Sequence, residues 1–201
     1  MIRISEKEKC VGCHACYNIC PTHSISMQID VDGFWYPVVD IEKCIHCGRC
    51  EKVCPVLKQA KRNEEQLQIY GACSVDEDIR SQSSSGGVFS VLALHVLNKG
   101  GIVYGASFNS NFQVQHIGIS SVTELDKLRG SKYVQSQIGD IYRDVKQQLR
   151  NGKMVLFTGT PCQVDGLNNF LGRTYDNLIT QDIVCHGVPS PMVWEKYSYF
   201  I

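Results

Sequence analysis

The sequence predicts an α+β unit built around cysteine, followed by an α/β layered unit. Two observations carry that expectation. A cysteine run is written twice before residue 60, and strand and helix signals alternate after residue 69. The first run, CVGCHACYNICP, extends from Cys10 to Pro21, and the second, CIHCGRCEKVCP, from Cys44 to Pro55.

A chain of 201 residues has room for one large domain or two small ones, and eleven cysteines is many for that length. The first residues, MIRISEKEK, are polar with no apolar stretch behind them, so no secretory signal is expected. The longest apolar run, Val88 to Leu97, is too short to span a bilayer and reads as a buried helix. The expected location is cytoplasmic, where thiols stay reduced and a dense cysteine pattern favours metal over disulfides. Twenty basic and twenty acidic residues cancel without a basic stripe, which argues against nucleic acid.

Cys10, Cys13, Cys16 and Cys20 follow the spacing C-x2-C-x2-C-x3-C-P, and Cys44, Cys47, Cys50 and Cys54 repeat it. Two intervening residues let a tight turn bring successive thiolates to one cluster. The fourth cysteine is turned away, and in two-cluster ferredoxins it ligates the other cluster. The spacing therefore assigns Cys10, Cys13, Cys16 and Cys54 to one [4Fe-4S] cluster, and Cys44, Cys47, Cys50 and Cys20 to a second. Pro21 and Pro55 follow the fourth ligands, where a residue without an N–H redirects the chain. Zinc, which takes paired C-x2-C ligands, fits the triplets less well. His14 and His46 lie inside the loops and read as surface neighbours, since four cysteines complete each cluster.

Between the runs, Ser24 to Ile29 and Phe34 to Val39 are strand-like, with Asp32-Gly33 as a turn signal. This hairpin is expected to cover the clusters with Ile25, Met27, Ile29, Phe34 and Trp35. The first unit, a ferredoxin-like two-cluster domain, thus spans 1–60. The charged stretch Leu57 to Gln68 reads as a solvated linker or exposed helical turn, and the second unit spans 69–201.

In the second unit, Gly86–Asn98 reads as a helix ended by Gly100-Gly101. Ile102–Phe108 and Val114–Ser120 read as paired strands. Thr123–Leu128 reads as a short helix and Ile141–Asn151 as a longer one. Lys153–Thr158 reads as a buried strand, Cys162–Leu171 as a helix and Leu178–Val184 as a strand. A last helix begins at Pro191, and the alternation gives the α/β class.

Four turns in this unit carry candidate chemistry. In SSSGGVF, Ser85 can cap the helix while Gly86 and Gly87 allow close backbone approach, so free N–H groups can hold a phosphate. In RGSKYVQS, Arg129, Ser131 and Lys132 stand beside Tyr133, a set suited to pyrophosphate and a stacked ring. In TGTPCQ, Thr160 is the expected N-cap, Pro161 the first helical residue, and Cys162 a first-turn thiol whose pKa the helix end lowers. In CHGVPSP, Cys185 and His186 stand where a strand stops. Cys162 and Cys185 approach each other if their strands are neighbours, at the strand ends where open sheets bind cofactors. No G-x-G-x-x-G follows a strand and no G-x-S-x-G elbow exists, so neither a Rossmann site nor a Ser–His–Asp hydrolase is indicated.

These motifs, in this order behind the cysteine repeats, resemble the coenzyme F420 hydrogenase/dehydrogenase beta-subunit family. The resemblance implies an α/β flavin-type domain, FAD, and electron transfer between a two-electron carrier (the deazaflavin F420 or an analogue) and one-electron partners. It makes Ser85, Gly86, Gly87, Ser131, Lys132 and Tyr133 candidate flavin contacts, and Cys162 and Cys185 candidate ligands of a further [4Fe-4S] cluster. Cys73 matches no motif and reads as structural. The family runs past CHGVPSP, so the second unit is expected to be incomplete at Ile201. The implied partner is a redox protein or low-potential electron carrier, with no membrane span. The alternative is a ferredoxin-like electron-transfer or docking subunit without flavin.

Overall fold

Two sheets organise the described residues, which are 1–4, 7–58 and 67–200 of a computed structural model. The predicted linker, Leu57 to Gln68, lies largely outside them.

The first sheet is a hairpin of β1 (Ile25–Ile29) and β2 (Trp35–Val39), antiparallel with Ile25 opposite Val39. Its turn is the one the sequence predicts. Asp30 Oδ1 accepts the N–H groups of Asp32 (3.1 Å) and Phe34 (2.9 Å), and Gly33 takes φ 83°. An aspartate that bonds its own turn and a glycine that tolerates positive φ are the usual means. Ile25 is buried among Cys16, Cys20, Cys50 and Cys54. Ile29 is 51% exposed and covers nothing, which corrects the expectation for that residue. It lies at the turn end of the hairpin, away from the cysteines that Ile25 covers. Short helices α1 (Ala15–Ile19) and α2 (Arg49–Lys52) follow the two cysteine loops.

After residue 67 come α3 (Glu77–Ser81), α4 (Val88–Asn98), β3 (Ile102–Phe108) and β4 (Val114–Ile119). A 3₁₀ turn, Val122–Lys127, stands where the short helix was predicted. Then follow α5 (Ile141–Arg150), β5 (Val155–Gly159), α6 (Pro161–Leu171), β6 (Leu178–Asp182) and α7 (Pro191–Ser198). The strand order is β4-β3-β5-β6, with β3, β5 and β6 parallel and β4 antiparallel. The sheet is therefore mixed, and the α/β reading holds for it.

Side chains alternate across the sheet, and the alternation sorts the core. Tyr104, Val155 and Phe157 point to one face, where Tyr142, Val145 and Leu149 of α5 and Val164, Leu167 and Phe170 of α6 cover them. Val103 and Leu156 point to the other, under Ala93, Val96 and Leu97 of α4. Cys13, Ala15 and Val53 from the cysteine repeats belong to the first of these cores. The cysteine-rich part thus docks on the α5–α6 face.

One capping expectation is overturned. The N-cap of α4 is Gly87 (φ 81°), without a side-chain bond, so Ser85 does not cap the helix. Thr160 is the N-cap of α6 and Pro161 opens it, as predicted, and Gln163 reaches back to the Thr160 N–H at 2.9 Å.

Candidate functional site

The two cysteine loops share one backbone plan. In the first, Gly12 (φ 58°) and His14 (φ 60°) are left-handed; in the second, His46 (φ 52°) and Gly48 (φ 69°) are. Each loop places one glycine and one histidine at the same two steps, in opposite order. A left-handed turn at both steps curls three cysteines inward, and histidine is among the non-glycine residues that tolerate it better. The left-handed backbone at these steps accounts for a histidine there without a ligand role. His46 is exposed, as expected, but His14 is only 2% exposed, which corrects its reading as a surface neighbour. Burial first, and His116 second, hold the His14 imidazole down to about 4, so it is neutral. Neither of its ring nitrogens has a hydrogen-bond partner among the described residues.

The folding of the loops sorts the thiols. One cavity is lined by Cys20, Cys44, Cys47 and Cys50 together, closed from the side by Ile25 and Val39. The last cysteine of the first run thus faces the first three of the second. Burial would raise the Cys20 thiol, but Ser24 Oγ at 3.2 Å and Thr22 Oγ1 at 3.6 Å, with backbone N–H groups, bring it down to about 7. Cys54 lies instead within electrostatic reach of Cys10, Cys13 and Cys16. Burial pushes Cys13 up to about 12 and raises Cys16 well above the ordinary thiol value, with neighbouring thiols adding to the rise. No three His, Cys, Asp or Glu side chains among the described residues converge closely enough for a single ion. A four-iron cluster has no such requirement, because each thiolate binds a different iron.

Helix α6 closes over the first group. A Cβ on Gly166 would lie 3.1 Å from Cys13 Sγ and 3.1 Å from the Tyr142 hydroxyl, so only glycine lets the helix approach that far. Cys162, one turn earlier on the same face, is electrostatically coupled to both Cys13 and Cys185. Parallel pairing of β5 and β6 brings the Cys162 and Cys185 loops side by side. The Cys162 thiol is raised, not lowered, because burial outweighs the helix end and the Thr160 hydroxyl at 3.1 Å.

Gln135, inside the RGSKYVQS turn but not among the candidate contacts the sequence suggests there, ties three segments together. Its Oε1 accepts the Trp35 N–H at 3.0 Å, and its N–H donates to Pro189 O at 3.1 Å. Its Nε2 occupies the space that a Cβ on Gly12 would need. Beside it, Ser136 bonds His116 Nδ1 at 2.9 Å and accepts from Gln163 Nε2 at 2.9 Å, while His116 Nε2 meets Thr158 O at 3.0 Å. Arg143 binds the carbonyls of Asn18 and Tyr17, each at 2.9 Å, closing the end of α1. These partners are far apart in sequence, and no local signal marks them.

The remaining motif residues fall into two places. Arg129 bonds Ser90 Oγ at 3.1 Å and Gln82 Oε1 at 2.5 Å, which brings the RGSKY loop to the start of α4 beside Ser85, Gly86 and Gly87. Lys132 Nζ is held by the carbonyls of Arg129 (2.7 Å) and Lys127 (3.3 Å), and burial lowers its pKa. Tyr133 is 78% exposed, and Cys73 is exposed against Gly86. Ser85, Gly86, Gly87, Ser131, Lys132, Tyr133, Cys162 and Cys185 do not line the cavity of Cys20, Cys44, Cys47 and Cys50. No helix among the described residues is long and apolar enough to cross a membrane.

Residues 9–57 match the family of 4Fe-4S dicluster domains. Residues 69–142 match the N-terminal part of the coenzyme F420 hydrogenase/dehydrogenase beta subunit. Curated proteins give no match. Among solved structures, the chain is similar to one from the xenon-derivatised F420-reducing [NiFe] hydrogenase complex of Methanosarcina barkeri, at 21% identity and a TM-score of 0.47. That similarity covers 62% of this chain and 46% of the other, less than half of its length.

Proposed function

We propose, from the match of residues 9–57 to 4Fe-4S dicluster domains and of residues 69–142 to the N-terminal part of the coenzyme F420 hydrogenase/dehydrogenase beta subunit, that the chain is an electron-transfer subunit with two [4Fe-4S] clusters. Cys10, Cys13, Cys16 and Cys54 hold one cluster; Cys44, Cys47, Cys50 and Cys20 hold the other. The observation that supports this reading most is the cavity lined by Cys20 with Cys44, Cys47 and Cys50. When bound, each cluster takes up and releases one electron at a time.

The chain's own residues supply the rest. Ser24 and Thr22 favour the Cys20 thiolate that a ligand must be. Ile2, Ile25 and Val39 pack on Cys16, Cys20, Cys50 and Cys54 and keep water from them. Such apolar cover and hydrogen bonding set a cluster's potential. The second half is the side on which a two-electron partner of the F420 or flavin class would sit. The start of α4, beside which Arg129 is held by Ser90, Gln82 and Asp126, is the place where a phosphate-bearing cofactor such as FAD would bind. Cys162 and Cys185 suit a further cluster, and the family relationship suggests partner subunits.

A second reading is an electron-transfer or docking subunit without flavin, which needs only the two cysteine groups. Anaerobic purification with iron, sulfide and absorption measurements tests both. About eight irons per chain support the two clusters, since each holds four. Flavin bands above that background select the first reading, and their absence the second. Iron-free, colourless protein overturns both.

A further inference from the structure

We propose that Ser24 and Tyr142 set the two clusters at unequal potentials. The Cys20/Cys44/Cys47/Cys50 cluster is the easier to reduce and the Cys10/Cys13/Cys16/Cys54 cluster the harder, so an electron in the half-reduced chain rests on the first. This order of filling rests on the two-cluster reading.

A cluster's potential rises when hydrogen-bond donors and water share the negative charge on its sulfurs, and falls when they are withheld. Cys47 is exposed and Cys44 partly so. Cys20 Sγ lies 3.2 Å from Ser24 Oγ and 3.6 Å from Thr22 Oγ1. A ligating thiolate has no hydrogen to give, so both hydroxyls donate to it. Ser24 is buried, and its carbonyl accepts the Asp40 N–H at 2.8 Å, which holds it beside the sulfur. Among the described residues, no side-chain hydroxyl does the same for Cys54, the fourth ligand of the other cluster.

The other group is shielded from water. Cys13, Cys16 and Cys54 are buried, and α6 closes over Cys13. The Tyr142 hydroxyl and Cys13 Sγ each lie 3.1 Å from the point where a Gly166 Cβ would stand, so they are neighbours across it. Tyr142 is fully buried, and its one hydroxyl hydrogen goes to Gln163 O at 2.8 Å. Cys13 therefore meets the oxygen of that hydroxyl, the negative end of its dipole, which opposes an added electron. Main-chain N–H groups of Gly12, Ala15 and Tyr17 do reach Cys10, Cys13 and Cys16. The second loop has the same left-handed turns, so such donors are common to both groups. Arg143, beside α1, is paired with Asp140 at 2.6 Å and adds little net charge. What separates the groups is exposure, the Ser24 and Thr22 hydroxyls, and Tyr142.

The test is an anaerobic redox titration of the iron-loaded chain, followed by low-temperature paramagnetic resonance. Wild type should reduce in two one-electron waves, and the first should carry the signal that Cys20→Ser alters. Ser24→Ala should move the first wave to lower potential, by about tenfold in the reduction equilibrium constant or ~59 mV, and leave the second in place. Ser24→Thr keeps the donor and should leave both in place. Tyr142→Phe keeps the ring against Phe157 and Phe170, at 5.8 and 6.0 Å between centroids. It should raise the second wave a few-fold in the same constant while the first stays. Coincident wild-type waves, or a first wave that carries the Cys54→Ser signal instead, overturn the order of filling whether or not the variants load. Unshifted waves in Ser24→Ala and Tyr142→Phe chains that carry about eight irons overturn the roles of those residues, and so does a shift of both waves together. A wild-type chain that takes up no iron overturns the order of filling and the cluster reading together.

Discussion

The main-chain N–H of Trp35 donates to the side-chain oxygen of Gln135 at 3.0 Å, across a separation of 100 residues. The bond joins the hairpin over the cysteines to the loop that carries Ser131, Lys132 and Tyr133. Because Gln135 also presses on Gly12 and holds Pro189, one residue fixes the first cysteine loop against both the RGSKYVQS and CHGVPSP turns.

Gln135→Leu should therefore destabilise the chain by about 1–3 kcal/mol, the range for leaving a partly buried backbone donor unpaired. Gln135→Glu keeps the acceptor for Trp35 and should recover most of that loss. Urea unfolding under anaerobic conditions measures both. Equal losses in the two variants would mean that packing against Gly12, not the bond to Trp35, is what matters.

Gly166→Ala places a methyl group 3.1 Å from Cys13 Sγ and from the Tyr142 hydroxyl. Neither neighbour is a free-swinging end: Cys13 is buried, and Tyr142 is buried with its hydroxyl bonded to Gln163 O at 2.8 Å. Overpacking of this kind costs about 1–3 kcal/mol. The perturbation should fall on one of two cluster signals in low-temperature paramagnetic resonance, the one that Cys54→Ser also alters. Identical disturbance of both signals would refute the separate packing of the two groups.

Much of this architecture is local and so legible in the sequence. The cysteine spacing, the Asp-Gly turn, the Thr160-Pro161 helix start and the strand–helix alternation each follow from a few adjacent residues. His14 escapes such reading because its loop role is conformational: Gly48 stands at the corresponding step of the other loop, and pattern alone shows only a potential ligand. Ser85 escapes it because Gly87 takes the cap position that a serine usually fills. The contacts of Gln135, Gly166 and Arg143 are not legible, since each joins segments that only the folded chain brings together. The raised Cys162 thiol marks the same limit. A first-turn position predicts a lowered pKa, and burial reverses it.

Exchange of the fourth ligand between the two runs predicts an asymmetric pair of variants. Cys54→Ser should damage the cluster of Cys10, Cys13 and Cys16, while Cys20→Ser should damage that of Cys44, Cys47 and Cys50. Each should lower iron from about eight toward about four per chain. The second readout is chemical: with Cys20→Ser, exposed Cys47 becomes available to a thiol reagent under anaerobic conditions, and with Cys54→Ser it stays protected. Labelling of Cys47 in the Cys54→Ser chain would assign the ligands within each run instead.

His116 predicts the acid side of stability. Its ring is buried, stacked on Phe157 at 5.5 Å between centroids, and bonded to Ser136 and Thr158. Burial brings its pKa down to about 4, from 6.5. A histidine lowered on folding binds its proton more readily in the unfolded chain, so stability is full above pH 6.5 and falls as pH drops from there toward 4. The loss over that window is on the order of 3 kcal/mol, since a gap of one pH unit between the folded and unfolded pKa is worth about 1.4 kcal/mol. His116→Gln has no proton to gain, so it should show a shallower decline while being less stable at neutral pH. Unfolding midpoints at several pH values, with ring resonances of labelled histidine, check this. A His116 signal that titrates near 6.5 would mean that water reaches the ring, and the Ser136–His116–Thr158 bridge between the loop and β5 would then be open rather than closed.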